Sequence, residues 1–430
     1  MSAKGLILAA PTSGAGKTTL TLALLNAMKS CGIGVSSAKV GPDYIDPAFH
    51  AAASGRVCVN LDGFAMRPDL LRELAARQAD RAELLVIEGV MGLFDGAADG
   101  TGSTADLAAL LKLPVVLAVD AAKQSQSVAA LVRGFRDHRS DVTVAGVILN
   151  RIGSPRHREM IERALGDIGM PVLGAVPRSD ALTLPERHLG LVQAGEHGDL
   201  AAFLDGAAEH VAGHVDLDAL TKIARPVVHA DAASKLPPLG QRIAIARDTA
   251  FAFSYPHMLD GWREQGAEFS FFSPLSDEAP DGTADAIFLP GGYPELHAGK
   301  LAAVSNFKAG MKLAAERGAL IYGECGGYMT LGQTLIDAEG IAHEMLDLLP
   351  LVTSFRKRKL HLGYRKLTPF ADLPFGMELT AHEFHYASIV SEGGAERLFS
   401  ARDALGEDLP AMGLREDRVM GSFAHVIDRV

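Results

Sequence analysis

The sequence predicts an α/β protein of two domains, each built on a parallel sheet buried on both faces. Three observations predict it. Short, unbroken apolar runs rich in Val, Ile and Leu alternate with Ala-rich amphipathic stretches, as strands covered by helices on both sides require. A glycine-rich loop, SGAGKTT at 13–19, follows the first run and opens the first helical stretch; strand, loop and helix in that order cradle phosphate. Much later, the run ALIY ends in Gly-Glu-Cys-Gly-Gly around Cys325. Glycines there permit a sharp strand-to-helix turn that presents a nucleophilic thiol.

The first-half strands are GLILAA from Gly5, LLVIE from Leu84, VVLAVD from Val115 and VAGVILN from Val144. Helical stretches between them include 20–29 and 125–136. The second half repeats the style with RIAIAR from Arg242, FSFFSP from Phe269, AIFLPGG from Ala286 and LIYGE from Leu320. Between the halves, 226–240 holds Pro226, Pro237 and Pro238 and little periodicity. It reads as a linker, leaving domains at 1–225 and 241–430. A chain of 430 residues exceeds one ordinary core, so two domains are expected on length alone.

Composition narrows the class. Hydrophobic residues make up 48% and charged residues 22%, as in a soluble globular chain. No apolar run reaches the roughly 18 residues of a membrane span. The opening MSAKGLILAAPTSG leads straight into the phosphate loop, so it reads as a first strand and not a signal peptide. Three cysteines form no disulfide framework and match no zinc spacing. A reducing cytoplasm is expected, with Cys31 and Cys58 as packed thiols. The net charge of −11 argues against nucleic acid, which wants a basic face. The one basic run, 356–359, reads as a solvated loop or a rim for substrate carboxylates.

The phosphate loop supplies Gly14, Gly16, Lys17, Thr18 and Thr19. Its backbone N–H groups and helix N-terminus face phosphate, Lys17 neutralises the outer phosphates, and Thr18 can ligate Mg²⁺. Pro11 stands where the first glycine of the usual motif belongs, so the pattern is a variant. In VIEGVMGLFDG a strand ends at Glu88 and a glycine-laced loop carries Asp95; a strand-end acid suits a metal. In KVGPDYIDPAFH, Lys39, Asp43, Tyr44 and Asp46 sit on a Gly/Pro-shaped loop, placed to hold a metal or a substrate. An Asp-capped turn without chemistry is the alternative there. Asn150 ends the fourth strand and is a further nucleotide-binding candidate.

In LPGGYPELHAG a strand ends in Gly291-Gly292. The N–H groups of Gly292 and of Gly326, which follows Cys325, can form an oxyanion hole. VMGSFAHVID carries His425, the natural base for the thiol. A nearby imidazole predicts that Cys325 alkylates faster at neutral pH than Cys31 or Cys58. The stretch AHEFHYA holds His382, Glu383 and His385. Its histidines are three apart, so it is not the zinc-protease motif, and a structural or substrate-facing role is expected.

The strings APTSGAGKTT, KVGPDYIDPAFH, EGVMGLFDG, LPERHLGLVQAGEH, LPGGYPELHAG, GECGGYM and GSFAHVID together resemble the cobyrinic and hydrogenobyrinic acid a,c-diamide synthases, in the family's order and over nearly the whole chain. The resemblance implies an N-terminal P-loop NTPase domain similar to dethiobiotin synthetase. It implies a C-terminal flavodoxin-like domain of the triad-type glutamine amidotransferases. The implied reaction is ATP- and glutamine-dependent amidation of the a and c carboxylates of a corrin precursor in cobalamin biosynthesis, through an acyl phosphate. ATP and Mg²⁺ are the implied cofactors. The small-molecule partners are the corrin precursor, glutamine and ATP. Thr18, Glu88 and Asp43 become metal candidates, and Asp46, Tyr44, Lys39, Asp95 and His188 substrate candidates. The segments AFHAAASG, DLAALLKLPVVL, SQSVAALVRG and LLPLVTSF resemble the aerobic branch, which favours metal-free hydrogenobyrinate over cobyrinate.

Many triad glutaminases place an acid two residues after the catalytic histidine. Here that position is Ile427, with Asp428 one further on. Strand alternation would turn Asp428 away from His425, which predicts a Cys–His dyad. Cobyric acid synthase and a ParA-like partner-binding ATPase stay open as alternatives. A homodimer stays open as well.

Overall fold

The computed structural model describes residues 3–182, 186–187, 190–191, 198–376 and 378–430. His188 lies outside the described residues. The chain divides into two compact units, one of residues 1–64 and 68–233, the other of 65–67 and 234–430. The short excursion at 65–67, which joins the second unit from inside the first half, has no counterpart in the sequence reading.

The first unit alternates β1 (Lys4–Ala9), α1 (Lys17–Ser30), β2 (Val35–Val40), α2 (Asp46–Ser54), β3 (Val59–Leu61), α3 (Pro68–Ala79), β4 (Leu84–Glu88), α4 (Thr104–Leu111), β5 (Val115–Asp120), α5 (Ser127–Asp137), β6 (Val144–Ile152), α6 (Pro155–Asp167) and β7 (Val172–Pro177). Its strands lie in the order β3-β2-β4-β1-β5-β6-β7. Neighbours along that path are parallel, and Arg225–Pro226 adds a short antiparallel pairing to β1. Every residue of β2 and β4 is buried, the pattern of a sheet covered on both faces. Leu6, Leu20, Leu25, Val86 and Ile148 belong to one buried cluster. The strand order changes direction around β1 and β4, so the loops leaving their C-terminal ends open a crevice. The phosphate loop and the loop after Glu88 both lie there.

The second unit opens with β8 (Arg242–Ala246), α7 (Pro256–Glu264), β9 (Glu268–Phe272), β10 (Ala286–Leu289), β11 (Leu320–Glu324) and the short helix α8 (Gly326–Leu331). It continues with β12 (His361–Pro369), β13 (Leu379–His385), β14 (Glu396–Arg402), β15 (Asp408–Glu416), β16 (Val419–Ser422) and β17 (Ala424–Arg429). The sheet order is β9-β8-β10-β11-β16-β15-β14-β12-β13-β17. The first five strands are parallel, as a flavodoxin-like core requires. The remaining five extend it by antiparallel pairing, an extension not read from the sequence. An aromatic cluster of Trp262, Phe288, Tyr322 and Phe375 fills one face of this core.

Two expectations need correction. Cys31 is exposed; it caps the C-terminus of α1, where the chain turns outward. Asp428 is not turned away by alternation. The β13–β17 register slips by one residue, pairing Ala381 with Val426 but Thr380 with Asp428. Such a bulge inserts one residue and resets the alternation, so Asp428 returns to the face that carries His425. The carbonyl of Ile427, in the bulge, accepts a hydrogen bond from His257 Nε2 at 2.9 Å.

Candidate active site

The first centre forms where β1, β2 and β4 end. Gly14 and Gly16 take positive φ values of 78° and 81°, open to glycine at no steric cost, and Gly16 caps α1. A Cβ on Gly16 would lie 2.4 Å from Asn150 Nδ2. That amide donates to the Ala15 carbonyl at 2.9 Å, so Asn150 braces the loop from β6. Lys17 Nζ donates to the Met91 carbonyl at 2.7 Å. Burial, then the neighbouring Lys39, pushes the Lys17 ammonium down to about 8. Thr19 lies in the first turn of α1.

Glu88 is the hub. Register alone sets Lys39 beside it on the adjacent strand. Its Oε1 accepts from Thr18 Oγ1 at 2.6 Å and Lys39 Nζ at 3.0 Å; its Oε2 accepts from His50 Nε2 at 2.6 Å. Burial alone would raise this acid. Lys39, His50 and Thr18 outweigh burial and hold the carboxyl well below its ordinary range. Lys39 also meets Asp46 Oδ2 at 2.9 Å. Burial opposes its charge, but Glu88, Asp46 and Asp43 keep the ammonium above its usual value. His50, with the Cys58 sulfur 3.5 Å from Nδ1, was missed by the sequence reading although it ends a motif that drew notice. Burial works against the His50 charge; Cys58 and Glu88 outweigh it and push the imidazole up to about 10.

Asp43 and Asp95 turn toward their own loops. Asp43 Oδ1 accepts the N–H groups of Ile45 at 2.7 Å and Asp46 at 3.3 Å. Burial, then Asp46, pushes its carboxyl up to about 7. Asp95 Oδ2 accepts the Gly92 N–H at 2.9 Å. Asp46, not Asp43, shares the Lys39 ammonium with Glu88. Tyr44 is half-buried on the same loop. A hydroxyl and an ionised carboxylate 2.6 Å apart, with a cation already drawn to the carboxylate, form a hard oxygen donor set of the kind Mg²⁺ takes.

The second centre lies at the end of β11. Cys325 adopts φ 47°, ψ −101°, a strained elbow for a residue with a Cβ. It is followed by Gly326, at which a Cβ would lie 3.0 Å from the Gly292 amide nitrogen. The two amides read as oxyanion donors therefore come from touching segments. A Cβ on Gly291 would lie 2.3 Å from His425 Cε1, so the imidazole brings its Cε1 edge close against that glycine. The thiol is buried, with its sulfur 4.0 Å from the Phe384 carbonyl. Burial, then the Glu295 charge, pushes it well above the ordinary thiol range, although the Gly326 N–H opposes this. That overturns the expectation of a low-pKa thiol in the resting protein.

Around it, His382 stands opposite His425 across β13 and β17. Burial, then His425, pushes His382 down to about 3. Glu383 accepts from His385 at 2.9 Å and pairs with Arg365 at 2.6 Å, a structural use of the AHEFHYA stretch. Asp428 is held by the Arg67 backbone N–H at 3.0 Å and by Nε at 3.1 Å. Residues 356–359 are exposed.

A family model described as a CobQ/CobB/MinD/ParA nucleotide binding domain matches residues 6–192, and one described as a CobB/CobQ-like glutamine amidotransferase domain matches 242–429. A hydrogenobyrinate a,c-diamide synthase of Brucella anthropi is 61% identical over 429 residues, 99% of this chain and 98% of its own. One from Rhizobium meliloti is 60% identical over 424 residues, 99% of each chain. The chain belongs to the hydrogenobyrinate a,c-diamide synthase family. The two model matches give the chain a nucleotide-binding part and a glutamine amidotransferase part. Among solved structures, PurLQS from Thermotoga maritima matches 43% of this chain at 19% identity with a TM-score of 0.30. Among the described residues no helix is long and apolar enough to cross a membrane.

Proposed function

We propose that the chain converts the a and c carboxylates of hydrogenobyrinate to amides, using ATP and the amide nitrogen of glutamine. The observation that carries this is identity of about three residues in five, end to end, to proteins named for that product. Both sets of site residues lie within the matched span.

A carboxylate is a poor electrophile, so the reading requires its activation. The γ-phosphoryl group of ATP passes to a carboxylate oxygen, giving an acyl phosphate and ADP. Ammonia then attacks the acyl carbon; the C–O bond to phosphate breaks, phosphate leaves with the electron pair, and nitrogen loses a proton. Lys17 and the loop amides around Gly14 and Gly16 bind the phosphates. Thr18 and Glu88 would hold Mg²⁺, which supplies charge neutralisation on the transferring group. Lys39 and Asp46 face the same crevice and orient the acceptor carboxylate.

In the glutaminase half, Cys325 Sγ attacks the glutamine amide carbon while His425 takes the thiol proton. The Gly292 and Gly326 amides receive the oxyanion. His425 returns the proton to the leaving ammonia, and water hydrolyses the thioester to glutamate. The two halves are separable in experiment. Cys325→Ser is expected to abolish glutamine-supported amidation and to spare amidation driven by ammonium salt at raised pH. Lys17→Ala is expected to remove both and leave basal glutamine hydrolysis. A Lys17→Ala chain that amidates normally with ATP would overturn the nucleotide assignment.

A further inference from the structure

The glutaminase site has a buried acid that sequence spacing does not reveal. Glu324 is the last residue of β11, one before the nucleophile, and is 1% exposed. Its Oε1 accepts the Val426 backbone N–H at 3.0 Å, and its Oε2 lies 3.7 Å from His425 Nδ1. A carboxylate taken out of water is costly unless charge or hydrogen bonds answer it. Here one oxygen is fixed to the strand that carries the base, and the other is aimed at the base itself. Tyr322 shares its face of β11, and burial, then the Glu324 charge, pushes that phenol well above its usual value.

Asp428 is the rival. The bulge returns it to the His425 face, but Arg67 holds its carboxylate through the backbone N–H, Nε and the terminal nitrogen at 3.0, 3.1 and 3.2 Å. Arg67 thereby engages both carboxylate oxygens of Asp428. Glu324 instead places Oε2 3.7 Å from the ring nitrogen that must keep its proton.

We propose that Glu324 is the positioning residue for His425, doing from the position before the nucleophile what an acid two residues after the histidine does in other triad glutaminases. It accepts a hydrogen bond from Nδ1–H, so that Nε2 carries the lone pair that takes the proton of Cys325 Sγ. It then stabilises the imidazolium until that proton passes from Nε2 to the departing ammonia; Glu324 itself gains no proton. This rests on the Cys325–His425 reading above.

The test compares Glu324→Gln with His425→Asn in the full chain, reading glutamine hydrolysis and ammonium-supported amidation. Glutamine in place of Glu324 keeps the acceptor for Val426 N–H and removes the charge. We expect kcat for glutamine hydrolysis to fall about 10²-fold or more, in the range for mis-set bases, with KM little changed and ammonium-supported amidation intact. Wild-type kcat for glutamine hydrolysis in Glu324→Gln, with His425→Asn inactive, overturns the proposal alone. A fully active His425→Asn overturns the dyad beneath it. If Glu324→Gln does not fold, NMR of nitrogen-labelled histidine in the unaltered chain decides: neutral His425 should carry its proton on Nδ1, and a proton on Nε2 overturns the proposal.

Discussion

Thr18 Oγ1 and Glu88 Oε1 lie 2.6 Å apart, joining the first turn of α1 to the end of β4. A hydroxyl at that helix start and a carboxylate at that strand end are separated by 70 residues in the chain. Only the parallel order of β1 and β4 brings them together. Glu88→Gln keeps the shape and removes the charge that answers Lys39, His50 and a bound metal ion. ADP release coupled to ammonium-supported amidation should fall about 10²-fold or more, while basal glutamine hydrolysis continues. A wild-type rate with unaltered Mg²⁺ dependence would remove Glu88 from the phosphoryl-transfer site.

Cys325 should be slow to alkylate at neutral pH. Its thiol is held in the protonated form by burial and then by Glu295, and the thiolate is the reactive species. Cys31 is exposed and should react first. Raising the pH should accelerate Cys325 as its thiolate fraction grows. Peptide mapping after a short pulse of iodoacetamide reads this directly. Faster labelling of Cys325 than of Cys31 at neutral pH would contradict the resting state described.

Asp428→Asn should act on stability more than on chemistry. It weakens the contacts to Arg67 by which residues 65–67 join the second unit. A loss of about 1–3 kcal/mol is expected for charged hydrogen bonds of this kind, read as a lower denaturant midpoint. Loss of glutaminase turnover as severe as that of His425→Asn, with stability unchanged, would make Asp428 the acid that serves the histidine.

Glu383 should mark the acid limb of stability. Burial alone would raise it, but His385 and Arg365 hold its carboxyl at about 2 against an ordinary 4.5. Between those values the unfolded chain binds the extra proton, so stability rises with pH there. The contribution is present above about pH 4.5 and lost as the pH falls toward 2; a shift of this size is worth roughly 3 kcal/mol. Glu383→Gln should be less stable at neutral pH and should lose less than the native chain on acidification. Parallel acid-denaturation curves for the two proteins would show that Glu383 carries no such linkage.

The sequence made some of this legible, and physics explains which part. Strands buried on both faces announce themselves as unbroken apolar runs, so the parallel cores could be read directly. The phosphate loop and the Cys325 elbow need glycine at fixed offsets, and that need is local. What escaped were relations set by tertiary pairing. Glu324 reads as the polar end of a strand until β17 crosses it. His50 becomes a partner of Glu88 only because α2 lies against β2 and β4. The bulge at Ile427 defeats the alternation rule because one extra residue inverts it, and the residues that set it, Thr380 and Ala381, lie on another strand. The antiparallel strands β12–β15 carry mixed half-exposed patterns that resemble loops at the level of sequence.

The central claim is that one chain moves nitrogen from glutamine onto two carboxylates of hydrogenobyrinate at the expense of ATP. Incubation of the full chain with hydrogenobyrinate, ATP, Mg²⁺ and glutamine carrying a labelled amide nitrogen, followed by mass spectrometry of the ring, tests it directly. The account predicts a ring with two labelled amides, with ADP, phosphate and glutamate formed in step. Unaltered hydrogenobyrinate, in a preparation that amidates cobyrinate or that hydrolyses ATP and glutamine without touching either ring, would contradict it.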